Sequence, residues 1–287
     1  MDADRGGLSK SKAKSMTAPA DRDFVLCYLT LPHLLPPAFI SVAAEAGYRG
    51  ISLRLIPIRN QPELPMFGNS TLLAETTERL DSTGIFVNDI EVLQQAAKVD
   101  LSNLERALET SARLRARNLI VIVEDTEEGR IAENLGRIAQ LSSSYGLRTC
   151  LECIVYTGVK MLDQGLRIIE RTGDDSIGLV IDPLHVDRAG GSVADVERLP
   201  AGRIACVQLC DAGPRPDPQD MNAIIRESVV DRRVPGTGML PLRELVRVLP
   251  DNIPVELEVP AKGYAGTLPD LEVAAIMRRA ALDILSG

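Results

Sequence analysis

From Asp23 onward the chain alternates eight times between a short β-rich apolar run and a longer stretch with helical periodicity. No other feature constrains the fold as much, because strands separated by helices are expected to lie parallel, each joined to the next by a crossover. The runs are Phe24 to Leu31, Gly50 to Ile56, Gly84 to Glu91, Asn118 to Asp125, Arg148 to Tyr156, Ile177 to Pro183, Ile204 to Asp211 and Ile253 to Pro260. Between them, residues such as Ile131, Leu135, Ile138 and Leu141 form one apolar stripe, the pattern of a helix laid on a sheet. Ser102 with Glu105, and Ser192 with Asp195, stand in capping-box register. The units average about 33 residues, room for a barrel strand, a helix and two loops. The expected fold is α/β, a single (β/α)8 TIM barrel over residues 23–287, with residues 1–22 as a disordered tail carrying Lys10, Lys12 and Lys14. A doubly wound open sheet competes, but it would favour a GxGxxG turn after the first strand, and none is present.

Composition narrows the setting. Apolar residues make up 45% and charged residues 25% of 287, enough to build a core without disulfides. The five cysteines, Cys27, Cys150, Cys153, Cys206 and Cys210, fall in apolar runs and are expected buried and reduced. Cys150 and Cys153 form a CxxC, but three residues apart on a strand they face opposite sides, which does not suit one zinc. A net charge of -8 gives no basic footprint for nucleic acid. No segment has the roughly 18 uninterrupted apolar residues of a membrane span, so a cytoplasmic protein is the default expectation.

Strand parity carries the functional message. Alternate residues of a barrel strand point inward or toward the helices. In the last strand Val255, Leu257 and Val259 form the outward set, sending Glu256 and Glu258 inward. The same argument puts Glu152 inward beside Leu151 and Cys153, Asp182 beside Leu179 and Ile181, Gln208 beside Ala205, Val207 and Leu209, and Arg54 beside Ile51, Leu53 and Leu55. Glu152, Asp182, Gln208 and Glu258 thus lie near the carboxyl ends of four consecutive strands, where barrel active sites are built. A lone inward Glu or Gln is commonly a hydrogen-bonded core group. Three carboxylates crowded together are harder to explain, since they repel unless protonated or shared by a cation. One divalent ion resolves the conflict, and the oxygen donors suit manganese most, with magnesium, cobalt or zinc as alternatives. Glu256 lies about 6.6 Å deeper along the strand and competes with Glu258, which is favoured as nearer the mouth.

The runs CLECIVYTG, LVIDPLHVDRAGG, CVQLCDAG, VPGTGMLPL and PVELEVP resemble the xylose-isomerase-like barrel superfamily of sugar phosphate isomerases and epimerases, over nearly everything after the tail. The resemblance implies that Glu152, Asp182, Gln208 and Glu258 hold the metal. It also implies that Glu152 and Glu258 act catalytically, one removing a carbon proton and the other returning it through a metal-stabilised enediolate. Gln208 stands where many members have His, a departure that bears on substrate. The implied activity is a divalent-metal-dependent isomerase or epimerase of a small ketose or hydroxy-carbonyl compound. The alternatives are a dehydratase of a cyclic keto-polyol such as inosose or 3-dehydroshikimate, and a non-catalytic barrel serving as a subunit or binding module. A small polyhydroxylated or keto-acid substrate, and a homo-oligomer, follow by analogy. DNA repair by endonuclease IV, in the same superfamily, is disfavoured by two histidines and an acidic chain.

His185 of the DPLH motif, Arg188, Arg54, Glu91 and Asp211 are expected substrate contacts. Arg54 is expected to meet Glu91, Asp89 or an anionic substrate group, because an unpaired inward guanidinium is costly. His33 follows the first strand in a Pro-rich loop, where a surface or packing role competes with function. Residues 212–239 read as a long loop, functional or mobile, with Arg226, Glu227, Arg232 and Arg233 as either a clamp on an anion or a solvated charged stretch.

Overall fold

The computed structural model describes residues 18–58, 66, 68–260, 263, 264 and 267–287. Eight parallel strands close on themselves in chain order: β1 (Phe24–Leu26), β2 (Gly50–Arg54), β3 (Phe86–Gln95), β4 (Asn118–Val123), β5 (Arg148–Glu152), β6 (Gly178–Ile181), β7 (Ile204–Leu209) and β8 (Val255–Leu257). Hydrogen bonding of β1 to both β2 and β8 leaves no open edge. The helices are α1 (Pro36–Glu45), α2 (Ser70–Thr83), α3 (Leu101–Arg113), α4 (Glu128–Ser144), α5 (Leu162–Thr172), α6 (Pro183–Arg188), α7 (Val193–Glu197), α8 (Met221–Val229), α9 (Leu242–Val248) and α10 (Asp270–Ser286). The chain is a (β/α)8 TIM barrel.

Period-two alternation in the strands builds two apolar layers. In β4, Leu119, Val121 and Val123 join the large cluster between sheet and helices, where they meet Ile131, Leu135 and Ile138 of α4. Ile120 and Ile122 point the other way, into the barrel, with Val92, Cys150, Ile154, Val180 and Cys206. Truncating a fully buried Leu or Ile to Ala in either layer costs about 2–5 kcal/mol. All five cysteines are free and buried, with Cys150 inside the barrel and Cys153 outside it.

Several expectations are corrected. Residues 19–22 of the expected tail are structured: Pro19–Asp21 form a 3-10 turn, and the buried Arg22 donates from Nε to Asp251 O at 3.0 Å and from Nη2 to Pro250 O. Residues 1–17 of the expected tail lie outside the described residues. Ser102 does not cap α3; the cap is Asp100, whose Oδ1 accepts from the N–H groups of Ser102 and Asn103. Ser192 and Asp195 do form the capping box of α7. Ala205 packs against the inner cluster rather than the helices, because the β6–β7 register shifts there: Leu179 pairs with Ile204, but Val180 pairs with Cys206. Strand pairing also stops earlier than the apolar runs at most carboxyl ends; β1 gives way to a 3-10 turn, Tyr28–Thr30. β3 alone reaches further, to Gln95, by pairing with Val121–Val123 beyond an irregularity. Among the described residues no helix is long and apolar enough to cross a membrane.

The 212–239 segment is not a plain loop. It contains α8, and an antiparallel bridge joins Asp211 to Arg233. Asp211 organises the return: Oδ1 accepts from the N–H groups of Ala212 (2.8 Å) and Leu240 (3.0 Å), and Oδ2 from those of Gly236 and Gly238 (both 2.9 Å). Gly236 has φ +82°, and a Cβ on Gly238 would collide with Ala212 O and the Asp211 carboxylate, so the turn needs glycine at both.

Candidate functional site

Strand ends bring Glu152, Asp182 and Glu258 into one cluster, while Gln208 pairs in register with Glu256. Glu152 closes β5, Asp182 follows β6, Gln208 is the penultimate residue of β7, and Glu258 follows β8. They are 7%, 2%, 1% and 5% exposed, buried in spite of their polarity. Asp182 also caps α6, accepting from Leu184 N (2.8 Å) and His185 N (3.3 Å), with Pro183 at the first helical position. That cap fixes His185 over the strands, its Nε2 3.9 Å from both Glu152 Oε1 and Asp182 Oδ2. One ligand atom from each of Glu152, Asp182 and His185 lies within 4.8 Å of the others, and this group could hold a divalent metal.

Arg232 enters the same cluster from the segment after α8. Its Nη1 lies 2.8 Å from Asp182 Oδ2 and 2.8 Å from Glu258 Oε2, and its Nε donates to Ser228 O at 2.6 Å. Of the loop arginines, Arg232 is thus the one that reaches the carboxylates. Arg226 pairs with Asp231 at the surface.

The carboxyls share one pocket but not one electrostatic state. Burial opposes ionisation of Asp182, yet Arg232, His185 and two backbone N–H groups outweigh it and hold its pKa below the ordinary value. Burial raises the Glu152 pKa well above the ordinary value, with Glu258 and Asp182 adding to the rise. Glu258 is pushed up to about 8 by burial, with Arg232 opposing and Glu91 reinforcing. Burial lowers His185 to about 4 against the pull of Asp182, so its ring is neutral at pH 7. With the imidazole neutral, Arg232 is the cation in contact with Asp182 and Glu258 among the described residues.

Do these residues fit a metal? Gln208 Oε1 is buried with no hydrogen-bond partner among the described residues, and so is His185 Nδ1; an acceptor left bare at this depth costs about 1–3 kcal/mol unless a ligand takes it. Burial first, and neighbouring carboxylates second, raise the Glu152 and Glu258 pKa values in spite of Arg232. An oxygen-rich donor set with surplus negative charge fits a divalent cation.

A deeper layer lies beneath. Glu256 accepts from Asn88 Nδ2 at 2.6 Å and takes the Cys206 thiol at 3.4 Å. Burial raises Glu256, and burial together with Glu256 raises Asp89 well above its ordinary value. Glu258, not Glu256, is therefore the β8 glutamate placed beside Asp182 and Arg232. On the β2–β3 side, Arg54 Nη2 pairs with Glu91 Oε2 at 3.3 Å and its guanidinium sits 5.1 Å from the Tyr28 ring centre, while Ser52 Oγ donates to Glu91 Oε1.

Two expected substrate contacts are occupied elsewhere. Arg188 donates to both oxygens of Glu227 (2.7 and 2.6 Å), to Gly213 O (2.9 Å) and to Asp187, clasping α8 to α6. All four hydrogen bonds to the Asp211 carboxylate come from backbone N–H groups of the turn. His33 pairs at the surface with Asp270 at 3.1 Å. Tyr156 was not singled out by sequence: its ring meets His185 edge-on at 5.7 Å, and its hydroxyl shares a 2.9 Å hydrogen bond with Ser228. Parity carried the signal, since residues 152, 154 and 156 continue one inward-facing series.

Residues 40–280 match the family described as xylose isomerase-like TIM barrel. The chain belongs to that family. It is 24% identical over 235 residues to an inosose isomerase of Halalkalibacterium halodurans, covering 74% of this chain and 76% of the relative. The solved structure of the IOLI protein with a binding zinc atom superposes with a TM-score of 0.75 at 16% identity, over 92% of this chain and 98% of that one. The probable 3-DHS dehydratase AsbF of Bacillus anthracis gives a TM-score of 0.70 at 14% identity, over 90% and 97%.

Proposed function

We propose that this family member is a divalent-metal-dependent isomerase or epimerase of a small polyhydroxylated carbonyl compound, with Glu152 and Glu258 exchanging the carbon proton. The observation that carries the reading is a pair of buried glutamates with raised pKa values, Glu258 at about 8, beside the low-pKa Asp182. A carboxyl poised near neutral pH suits general acid–base work, because it both accepts and releases a proton at little cost.

Glu152, Asp182, Gln208 and Glu258 would hold the ion, with His185 close by. Bound there, a divalent cation supplies Lewis acidity toward a carbonyl and its neighbouring hydroxyl. Manganese suits the oxygen-rich donors best, and zinc is what one structural neighbour carries. Glu258, its Oε2 held by Arg232, takes the proton from the carbon acid; Glu152 returns it. Neutral His185 offers a hydrogen bond to a substrate hydroxyl without adding charge, and Ile154 and Tyr156 belong to the apolar layer inside the barrel. The named inosose isomerase supports a polyhydroxylated ketone as substrate.

A dehydratase is the second reading, favoured by the same glutamate pair. A protonated Glu152 can deliver its proton to a departing hydroxyl instead of to carbon, and the named dehydratase neighbour keeps that route open. Product mass separates the two, since only the lyase loses water.

The test is exchange of the substrate C–H in deuterated water at saturating manganese, followed by NMR. Glu152→Gln and Glu258→Gln should each slow exchange by about 10²- to 10⁴-fold. Near-wild-type exchange in both variants would overturn the assignment, and a barrel that takes up no metal would favour the non-catalytic role.

A further inference from the structure

Behind the carboxylate cluster, on the outer side of the barrel wall, a cavity of about 310 Å³ opens between α5 and the α6–α7 pair. Its floor is the reverse face of the site. Glu152 lies in the cluster, while Cys153, the next residue, turns outward and lines this cavity. His185 likewise faces the carboxylates, and Val186 and Ala189 line the cavity. Leu162 and Leu166 of α5 and Leu199 after α7 complete an apolar wall, with Met161 beside them, 46% exposed.

The proposed reaction makes no use of this space, and packing keeps it open. At Gly165 α5 already touches β5, since an added Cβ would lie 2.6 Å from Cys153 Sγ, so the helix cannot settle inward to fill the gap. Four charged residues line the cavity, and three of them are matched. Arg198 pairs with Asp195, and Asp163 pairs with Arg167 at 2.8 Å. Lys160 is engaged only through its backbone N–H, which donates to Gln164 Oε1 at 3.0 Å; its ammonium has no partner among the described residues. The rim therefore carries one unmatched positive charge over an apolar wall. A ligand that complements it has an apolar body and one negative group. It is also small, because this volume stands at the lower end of the roughly 300–1,000 Å³ of ligand pockets.

We propose that this cavity is a second ligand site, separate from the metal cluster, which takes a small carboxylate with an apolar chain or ring. The apolar part packs on Cys153, Leu166, Val186 and Leu199, and the carboxylate meets Lys160. Burial of the chain supplies most of the affinity, because an exposed ion pair adds only a few-fold. The inference goes beyond the proposed function and does not depend on it.

The probes are butyrate, hexanoate and octanoate, with octylammonium as the oppositely charged control, titrated into the full chain with manganese and again in EDTA. Calorimetry reads affinity, and the methyl NMR signal of Met161, assigned from Met161→Leu, reads location. Each two added methylenes should tighten binding about tenfold. Octylammonium should bind about fivefold more weakly than octanoate, and Lys160→Glu should reverse that order. Leu166→Trp and, separately, Ala189→Phe fill the cavity and should each weaken octanoate at least about tenfold, with manganese uptake unchanged. Octanoate that shifts the Met161 methyl equally with manganese and in EDTA is the expected result. Binding that requires manganese, or that survives both filled variants, would put the carboxylate on the metal side and overturn the site. Absence of binding, or an affinity indifferent to chain length or to Lys160→Glu, would overturn it as well.

Discussion

Glu258→Gln should make the metal-free protein more stable at alkaline pH and leave it unchanged at acid pH. An ordinary glutamate titrates near about 4.3, whereas burial holds Glu258 at about 8 in the folded chain. A carboxyl raised in this way contributes its full stability below the unfolded pKa, and that contribution is lost as the pH rises through the folded one. The window is therefore roughly pH 4 to 8. A shift of more than three units at about 1.4 kcal/mol each gives an upper limit of about 5 kcal/mol. Water entry and movement of Arg232 relax part of this, so about 2 kcal/mol is the expected difference at pH 8.5. Glutamine keeps the shape, offers an oxygen to Arg232, and cannot ionise. For a domain of this size 1 kcal/mol moves Tm by about 2–4 °C. In EDTA, the variant should melt within about 1 °C of wild type at pH 5 and about 4 °C higher at pH 8.5. Added manganese should then stabilise wild type more than the variant at pH 8.5. A variant that melts lower than wild type by the same amount at both pH values would refute the reasoning, because it would mean that Glu258 is an ordinary structural partner of Arg232.

Three further outcomes are expected. Arg232→Met leaves Asp182 and Glu258 without their cation and should cost about 3–5 kcal/mol at pH 8 by chemical denaturation; Arg232→Lys should recover only part, since one ammonium cannot also reproduce the bond to Ser228 O. Manganese affinity should rise up to about tenfold per pH unit below pH 8, as Glu258 gives up its proton on binding, and calorimetry in two buffers of different ionisation enthalpy should count that release; a flat profile would remove Glu258 from the ligand set. Asp211→Asn weakens a carboxylate that accepts from four backbone N–H groups. It should cost about 2 kcal/mol and speed proteolysis within 212–239 while the strands stay protected from hydrogen exchange; equal cleavage of both proteins would show the turn to be held by other contacts.

The barrel was legible because its periodicities are repetitive and local. Inward and outward sets in β5, β6 and β8 follow from alternation alone, and they are enough to bring Glu152, Asp182 and Glu258 together. Alternation failed at Ala205, where a register shift against β6 adds a residue that no period can announce. Strand rise already set Glu256 one layer deeper than Glu258, but it said nothing of their partners: one bonds to Asn88 and Cys206 and the other to Arg232. Long-range charge pairing was the least legible. Arg232 and Arg233 are neighbours of the same type in one charged stretch, yet the bridge from Arg233 to Asp211 turns one toward Thr237 and the other into the carboxylate cluster.

That last pairing bears on why the cluster survives at all. Asp182, Glu152 and Glu258 are buried against one guanidinium and one neutral imidazole, so full ionisation would leave two negative charges in excess inside the barrel. The metal-free protein answers by keeping Glu152 and Glu258 protonated, which their raised pKa values express. A divalent cation would supply the missing charge, release the Glu258 proton while Glu152 keeps its own for delivery, and use the Gln208 oxygen that has no hydrogen-bond partner among the described residues. On the proposed function the cost to stability and the capacity for proton transfer are one property, since a carboxyl comfortable in its ionised state would have no reason to take a proton from carbon. Mutations that stabilise the empty barrel, Glu258→Gln first among them, should therefore be the ones that silence it.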